Sequence, residues 1–294
     1  MQGKKIIRNV LLSMRPGQWI KNLFLFAALI FSQNLFNPIL FTKTALAGIL
    51  FCFISSCSYI INDFADKKED KFHSFKSKRP LVSGELKNFQ AILLVLFLLP
   101  AVLTLSYTLN FNFFVVITAY FFLQLLYSFF LKHVVILDVF SLAFGFVLRV
   151  VAGALVINVE ISSWILICTL LLTLFLALCK RRHELIYLDE KASRHRKSLH
   201  YYSAHLLDQM ISIVTASTLI SYILYTLSQK TIQKFQSGAL IFTAPFVLYG
   251  IFRYLYLVYK ENGGGAPDNS FLTDRPLLIN SIFWLVSVCI ILYF

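Results

Sequence analysis

Residues 62–70, Asn62-Asp63-Phe64-Ala65-Asp66-Lys67-Lys68-Glu69-Asp70, close an apolar run that begins near residue 41. That run is about twenty residues long, enough for an α-helix to cross a bilayer. Beyond the acidic stretch comes a basic tail, Lys76-Ser77-Lys78-Arg79-Pro80. If the helix continues, Asn62, Asp66 and Asp70 fall at i, i+4 and i+8. Asp63 stands three and seven residues before Asp66 and Asp70, so all four share one face. Like charges repel at those spacings, and carboxylates near a helix C-terminus oppose its macrodipole. A divalent cation removes both penalties. An oxygen-only ligand set favours Mg²⁺, whose shell is completed by waters and substrate phosphates. The alternative is a solvated helix end in which Lys67, Lys68 and Lys71 neutralise the acids. Spacing alone leaves both readings standing.

Composition sets the class. Of 294 residues, 58% are hydrophobic, 16% aromatic and only 14% charged, with a mean hydropathy of +0.74. These values describe an integral membrane protein, predicted to be all-α: a polytopic bundle of transmembrane helices. Ten-residue segments of alternating polarity are missing, which excludes a β-barrel. A net charge of +13 suggests nucleic acid at first sight. Its basic residues lie in short loops between apolar runs, however, where they set membrane orientation and attract anionic lipids or phosphorylated substrates. Nucleic-acid binding is not expected. The five cysteines are odd in number and form no CxxC pair, which argues against a disulfide framework or a zinc site and for small buried hydrophobes.

Nine spans are predicted, at about 19–36, 41–62, 90–108, 112–131, 134–157, 161–179, 205–227, 238–258 and 276 onward. They form one integral-membrane domain, 1–294. Residues 1–18 are basic, with Ile6, Ile7, Val10, Leu11 and Met14 at helical spacing, and are expected to lie along the membrane interface. The first span reads as a retained membrane helix rather than a cleaved signal. Loops 63–89 and 180–204 carry seven Lys or Arg each, whereas the opposite side shows only Lys43, Lys230 and Lys234. The positive-inside rule then puts the N-terminus and both charged loops in the cytoplasm and the C-terminus outside, in a cell inner or plasma membrane.

Charges within spans are costly and face a cavity or a partner. Asp138 and Arg149 are three helical turns apart, about 16 Å, on one face of the fifth span. Each is either satisfied by a neighbouring helix, or Arg149 projects into an aqueous cavity to meet a phosphate. Lys21, just inside the first span, has a snorkelling reading besides a functional one. Tyr127 and Lys132 address one ligand only if the helix ends between them. The six histidines show no metal spacing, and no phosphate loop, dinucleotide fingerprint or nucleophile elbow occurs. Gly263-Gly264-Gly265 lacks the lysine of a phosphate loop.

Asn62-Asp63-x-x-Asp66-x-x-x-Asp70 at the end of the second span resembles the first aspartate-rich motif of the UbiA prenyltransferase superfamily. Four further motifs narrow this: Arg15-Pro-x-x-Trp19-x-Lys21-Asn22, Lys76-x-x-Arg79-Pro80, Tyr127-Ser128-x-x-Leu131-Lys132-His133 and Gly145-Phe-x-Leu-Arg149-x-x-Ala152-Gly153. Together with Lys180-Arg181-x-x-Glu184 and Tyr202-Ser203 they resemble the decaprenyl-phosphate phosphoribosyltransferase branch over nearly the whole chain. One departure stands out. Aromatic prenyltransferases of the superfamily carry a second aspartate-rich motif between the sixth and seventh spans, and here that loop has only Asp189-Glu190.

The resemblance implies transfer of 5-phosphoribosyl from 5-phosphoribose 1-diphosphate to a polyprenyl phosphate, with release of diphosphate. It implies Mg²⁺ on Asn62 and Asp66, supported by Asp63 and Asp70. Lys21, Tyr59, Lys76, Arg79, Tyr127 and Lys132 would bind the donor. Asp63 would also stabilise positive charge on the ribose. Arg149, Lys180 and Arg181 are the candidates for the acceptor phosphate. Since the lipid phosphate is already anionic, no general base is needed, and inversion at C1 is expected. A downstream epimerase is implied as a partner if the product feeds an arabinose donor. The competing expectation is an aromatic prenyltransferase using a polyprenyl diphosphate; a nine-span transporter would need more charge at mid-membrane.

Overall fold

The computed structural model describes residues 2–71, 76–188, 197–260 and 273–294. Among them every regular element is helical, as expected where a bilayer leaves no water to satisfy backbone groups. In chain order, short 3-10 turns aside, these are α1 (Gln2–Ser13), a 3-10 segment (Pro16–Leu25), α2 (Phe26–Phe31), α3 (Pro38–Ala65), α4 (Lys67–Asp70), α5 (Pro80–Ser83), α6 (Asn88–Leu109) and α7 (Phe111–Phe129). Then follow α8 (Leu137–Val156), α9 (Ser163–Leu188), α10 (Ala204–Leu227), α11 (Gln229–Phe235), α12 (Ala244–Tyr259) and α13 (Arg275–Tyr293).

Eight of the described helices are long and apolar enough to cross a membrane, and they coincide with the expected second to ninth spans. The expected first span, 19–36, is not a continuous α-helix. It is the tail of the 3-10 segment followed by the six residues of α2, with a turn from Ser32. Its side chains explain the departure. A 3-10 helix has three residues per turn, so every third side chain is eclipsed on one face. Trp19, Asn22 and Leu25 form that face: Trp19 Nε1 donates to Ser56 Oγ at 3.1 Å, Asn22 Nδ2 donates to Cys52 Sγ at 3.3 Å, and Leu25 is fully buried. Pro16 at the first position, lacking an N–H, costs nothing there. At about 2.0 Å rise per residue, the ten 3-10 residues with α2 reach about 29 Å, close to the hydrocarbon thickness.

The chain, read from sequence as one membrane domain, divides into two compact units: Met1–Ser141 with Leu148–Glu160 and Ser193–Ser198, and Leu142–Val147 with Ile161–Ala192 and Leu199–Phe294. In the first, α3 packs on α6, α7 and the 3-10 segment. Phe51 sits at its centre, with ring centroids 6.0 Å from Phe113 and 5.1 Å from Tyr120. Helix α8 presses so close to the 3-10 segment that a Cβ on Gly153 would stand 2.0 Å from the carbonyl oxygen of Leu25. Small residues at such crossings let backbones approach in lipid, where packing rather than water exclusion drives association. Helix α1 buries Asn9 and Ser13 and exposes Ile6, Ile7, Leu11 and Leu12, the arrangement of a helix whose apolar side meets lipid.

In the second unit α10 lies along α9, and α12 along α13. Polar ties hold these helices. Tyr222 hydroxyl lies 2.6 Å from Thr243 Oγ1 and accepts from Trp284 Nε1 at 2.9 Å. Arg253 forks onto Asp274 at 3.1 and 2.6 Å.

Candidate active site at the end of helix α3

Helix α3 starts with Asn37 as its cap, whose Oδ1 accepts from Ile39 and Leu40 N–H at 3.1 and 3.2 Å. It ends inside the acidic stretch. Asp66, at φ −95° and ψ 6°, separates α3 from the single turn α4. Helical bonding still bridges the break, from Asp66 N to Asn62 O at 2.9 Å and from Asp70 N to Asp66 O at 2.8 Å. The acids of the sequence reading thus keep helical bonding across Asp66, and it is their partners that sort them into two groups.

Asp63 and Asp70 make the first. Asp63 is 1% exposed, and one of its oxygens accepts from Arg15 Nη2 and, at 2.8 Å, from Arg79 Nη1. The same Arg79 nitrogen donates to Asp70 Oδ2 at 2.5 Å, and Lys76 Nζ stands 3.3 Å from Asp70 Oδ1. Asn62 and Asp66 make the second: Asn62 Nδ2 donates to Asp66 Oδ2 at 3.1 Å while Lys132 Nζ donates to Asp66 Oδ1. Lys132 is itself buried, in a 3-10 turn (Leu131–His133) whose carbonyl accepts from Ser198 Oγ at 3.0 Å. Burial, followed by the neighbouring Arg15 charge, pulls the Arg79 guanidinium below its ordinary pKa, against Asp63, Asp70 and Asp66.

This geometry overturns the solvated helix end. Asp63 and Asp70 are buried, and Lys67 reaches across to Asn88 Oδ1 at 2.7 Å instead of pairing with an acid. Among the described residues the cations paired with the aspartates of this stretch are Arg15, Lys76, Arg79 and Lys132. Three of these were expected at the donor end; Arg15 was not. Its signal was its place in Arg15-Pro16 directly before Trp19-x-Lys21-Asn22, but 48 residues separate it from Asp63, and only the turn between α1 and the 3-10 segment brings the two together. Arg15 also stacks 5.1 Å above the ring of Tyr59, one turn before Asp63.

Lys21 Nζ donates to Gln18 Oε1 at 2.5 Å, on the 3-10 face next to the buried one. Tyr127 is half-buried near the end of α7. Arg149 does not project into a cavity. Its guanidinium is buried, with Nε donating to Asn22 Oδ1 and Nη2 to the Tyr120 hydroxyl, both at 2.8 Å. Asp138 lies in the first turn of α8, not at mid-membrane, and there its charge favours the helix dipole. Lys180 and Arg181 belong to the second unit, where Arg181 is buried and donates to Glu184 Oε2 at 2.5 Å. Asp189, Glu190 and Gly263 to Gly265 lie outside the described residues.

Among the described residues no three His, Cys, Asp or Glu side chains are placed to close on one ion. What stands at the end of α3 is a row of amide and carboxylate oxygens, with Asp63, Asp66 and Asp70 each matched by a protein cation. That set fits Mg²⁺ sharing its shell with substrate phosphates, and does not fit a closed protein cage.

The sequence profile of the UbiA prenyltransferase family matches residues 23–282. The chain belongs to that family. Among curated UbiA relatives, decaprenyl-phosphate phosphoribosyltransferase of Mycolicibacterium smegmatis is 28% identical, the match covering 99% of this chain and 94% of the relative. The enzyme of that name from Corynebacterium glutamicum is 30% identical over 99% of this chain and 88% of its own. Of solved structures, a UbiA homologue from Archaeoglobus fulgidus bound to GPP and Mg²⁺ superposes with a TM-score of 0.73 at 19% identity. It covers 97% of this chain and 100% of its own. The fold is thus the UbiA fold, an all-α multi-pass membrane bundle.

Proposed function

We propose that this UbiA enzyme transfers 5-phosphoribosyl from 5-phosphoribose 1-diphosphate to the phosphate of a decaprenyl-type polyprenyl lipid, releasing diphosphate. The observation that carries the reading is the charge pattern at the end of α3. Asp63, Asp66 and Asp70 interleave with Arg15, Lys76, Arg79 and Lys132, a surplus of cations that suits a donor bearing both a diphosphate and a further phosphate. The near full-length likeness to two phosphoribosyltransferases supports it. The family match, running from residue 23 to 282, supports reading the chain as one functional domain.

Asn62 and Asp66, with Asp63 and Asp70, would hold Mg²⁺, which supplies charge neutralisation of the leaving diphosphate. Lys76, Arg79 and Lys132 bind donor phosphates through charge-assisted hydrogen bonds, Lys132 from a buried position and the other two from partly exposed ones. Lys21 and Tyr127 add donor contacts, and Tyr59 orients it from the turn before Asp63. As the C1–O bond lengthens, the Asp63 carboxylate stabilises the positive charge that builds on the ribose ring. The acceptor oxygen attacks the opposite face of C1 and inverts it. Lys180 and Arg181 are proposed for the acceptor phosphate, whereas Arg149 positions the 3-10 segment that carries Lys21. The Lys and Arg bias of the loops supports a site open to the cytoplasm of an inner or plasma membrane, N-terminus inside and C-terminus outside. An enzyme that epimerises the bound sugar is the class of partner that would consume the product.

The test uses full-length protein in detergent with labelled phosphoribosyl diphosphate and decaprenyl phosphate. Labelled lipid is expected with Mg²⁺, lost on chelation, and lost in Asp66→Ala. Prenylation of an aromatic acid from a polyprenyl diphosphate, with no phosphoribosylated lipid, would establish the aromatic prenyltransferase reading instead.

A further inference from the structure

We propose that Arg15 is a built-in counter-ion of Asp63 which a divalent metal must displace, so that metal and donor diphosphate bind as a linked pair while Arg15 passes from carboxylate to phosphate. The inference rests on the reading of Asn62 to Asp70 as the metal–diphosphate site.

Three observations carry it. First, the one carboxylate buried most deeply in the stretch is claimed by two guanidiniums, Arg15 and Arg79, on the same oxygen. Second, Arg79 is already shared with Asp70 at 2.5 Å, so moving Arg15 away leaves Asp63 and Asp70 a cation between them and relieves repulsion between the two arginines. Third, the Arg15 backbone is a fixed pivot. It sits at φ 53° and ψ 62°, a region that non-glycine residues keep only when their surroundings hold them. Its N–H bonds Leu12 O at 3.2 Å and its carbonyl accepts from Gln18 N at 2.9 Å. From that pivot the side chain is long enough to exchange partners without moving α1 or the 3-10 segment.

Bare metal at Asp63 would strand Arg15 in a partly shielded site without its acceptor, which is strongly unfavourable. A diphosphate arriving with the metal brings oxygens for the released guanidinium. Metal and diphosphate therefore favour each other, and the coupling is reciprocal.

The experiment measures binding to full-length protein in detergent micelles, with Mn²⁺ as the spectroscopically visible metal and inorganic diphosphate as the second ligand. In Arg15→Gln, Mn²⁺ alone is expected to bind about tenfold tighter than in wild type, and diphosphate in the presence of Mn²⁺ about tenfold more weakly. A merely structural Arg15 would weaken both. Lys67→Gln removes a positive charge that bonds Asn88 rather than an acid, and is expected to leave both affinities unchanged. Bare Mn²⁺ affinity that is unchanged or weaker in Arg15→Gln overturns the inference, as does an equal gain in Lys67→Gln. If Arg15→Gln does not fold, Arg15→Lys is read by the same criteria, with smaller shifts of the same sign. Failure of wild type and variant alike to bind Mn²⁺, even with diphosphate, overturns the metal reading beneath it.

Discussion

Arg149 Nη2 donates to the hydroxyl of Tyr120 at 2.8 Å, and the same guanidinium lies 4.7 Å from the centre of that ring. The hydroxyl stands 3.2 Å from Ser55 Oγ, and Arg149 Nε reaches Asn22 Oδ1 at 2.8 Å. One buried cation thus ties α3, α7, α8 and the 3-10 segment. Buried charge in a membrane bundle survives only with such partners.

Tyr120→Phe removes an acceptor from a charged donor and is expected to lower stability by about 1.5–3 kcal/mol. Arg149→Met is expected to cost more. The double variant should lose less than the sum of the two singles, by about 0.5–3 kcal/mol, because both remove the same interaction. Unfolding in detergent for the four proteins measures this; strict additivity would mean that the pair is not a unit.

Gly153→Ala places its methyl 2.0 Å from the Leu25 carbonyl oxygen. Backbone must move, at a cost of about 1–3 kcal/mol or more. Gly48→Ala meets only Phe26 Cε2 at 3.7 Å, an ordinary distance, and is expected to be neutral or stabilising by up to about 1 kcal/mol. Melting temperatures of the two variants should therefore move apart, with donor affinity falling only in the first.

Lys132→Met leaves Asp66 without its cation and removes one proposed phosphate ligand. Turnover is expected to fall about 10²–10³-fold. Lys132→Arg should recover little of it, since the position is 4% exposed and a guanidinium cannot replace a compact ammonium in that space. Full recovery in the arginine variant would show that charge alone matters.

Asp274 caps α13 and holds Arg253, and the hydrogen bonds from Arg253 lower its pKa below 3.8, against some desolvation. A depressed folded pKa contributes stability that is fully present above the unfolded value and is lost as pH falls through the folded one. Asp274→Asn keeps a capping oxygen and removes the charge. The variant should melt lower than wild type at pH 7, and the gap should close once pH drops through the folded value. A gap that persists unchanged in acid would mean that the Asp274 charge contributes nothing to it.

Spans were legible because a bilayer demands long apolar helices, and α3, α6 to α10, α12 and α13 follow that rule. The acidic stretch was legible because its spacing is local. The 3-10 segment was not. Its signal is a period of three at Trp19, Asn22 and Leu25, which a search at 3.6 passes over, and the groups that face it, Cys52, Ser56 and Gly153, lie far along the chain. Arg15 escaped for the same cause: it was read beside its own neighbours in sequence, whereas its partner Asp63 comes from another helix. For Arg149 the sequence left two readings, a partner on a neighbouring helix or an aqueous cavity, and Asn22 with Tyr120 decide for the first.

The three-residue face of Pro16–Leu25 limits how this part of the chain can vary in length. Removing or adding one residue between Trp19 and Leu25 turns everything beyond it by about 120° in a 3-10 helix. Leu25 would then leave its place beside Gly153, or Trp19 its place beside Ser56. Only a change of three restores the facing residues, and it also slides the segment by about 6 Å along α3. Insertions and deletions here are therefore admissible in whole turns or not at all, a stricter rule than holds for the loops that join the other helices.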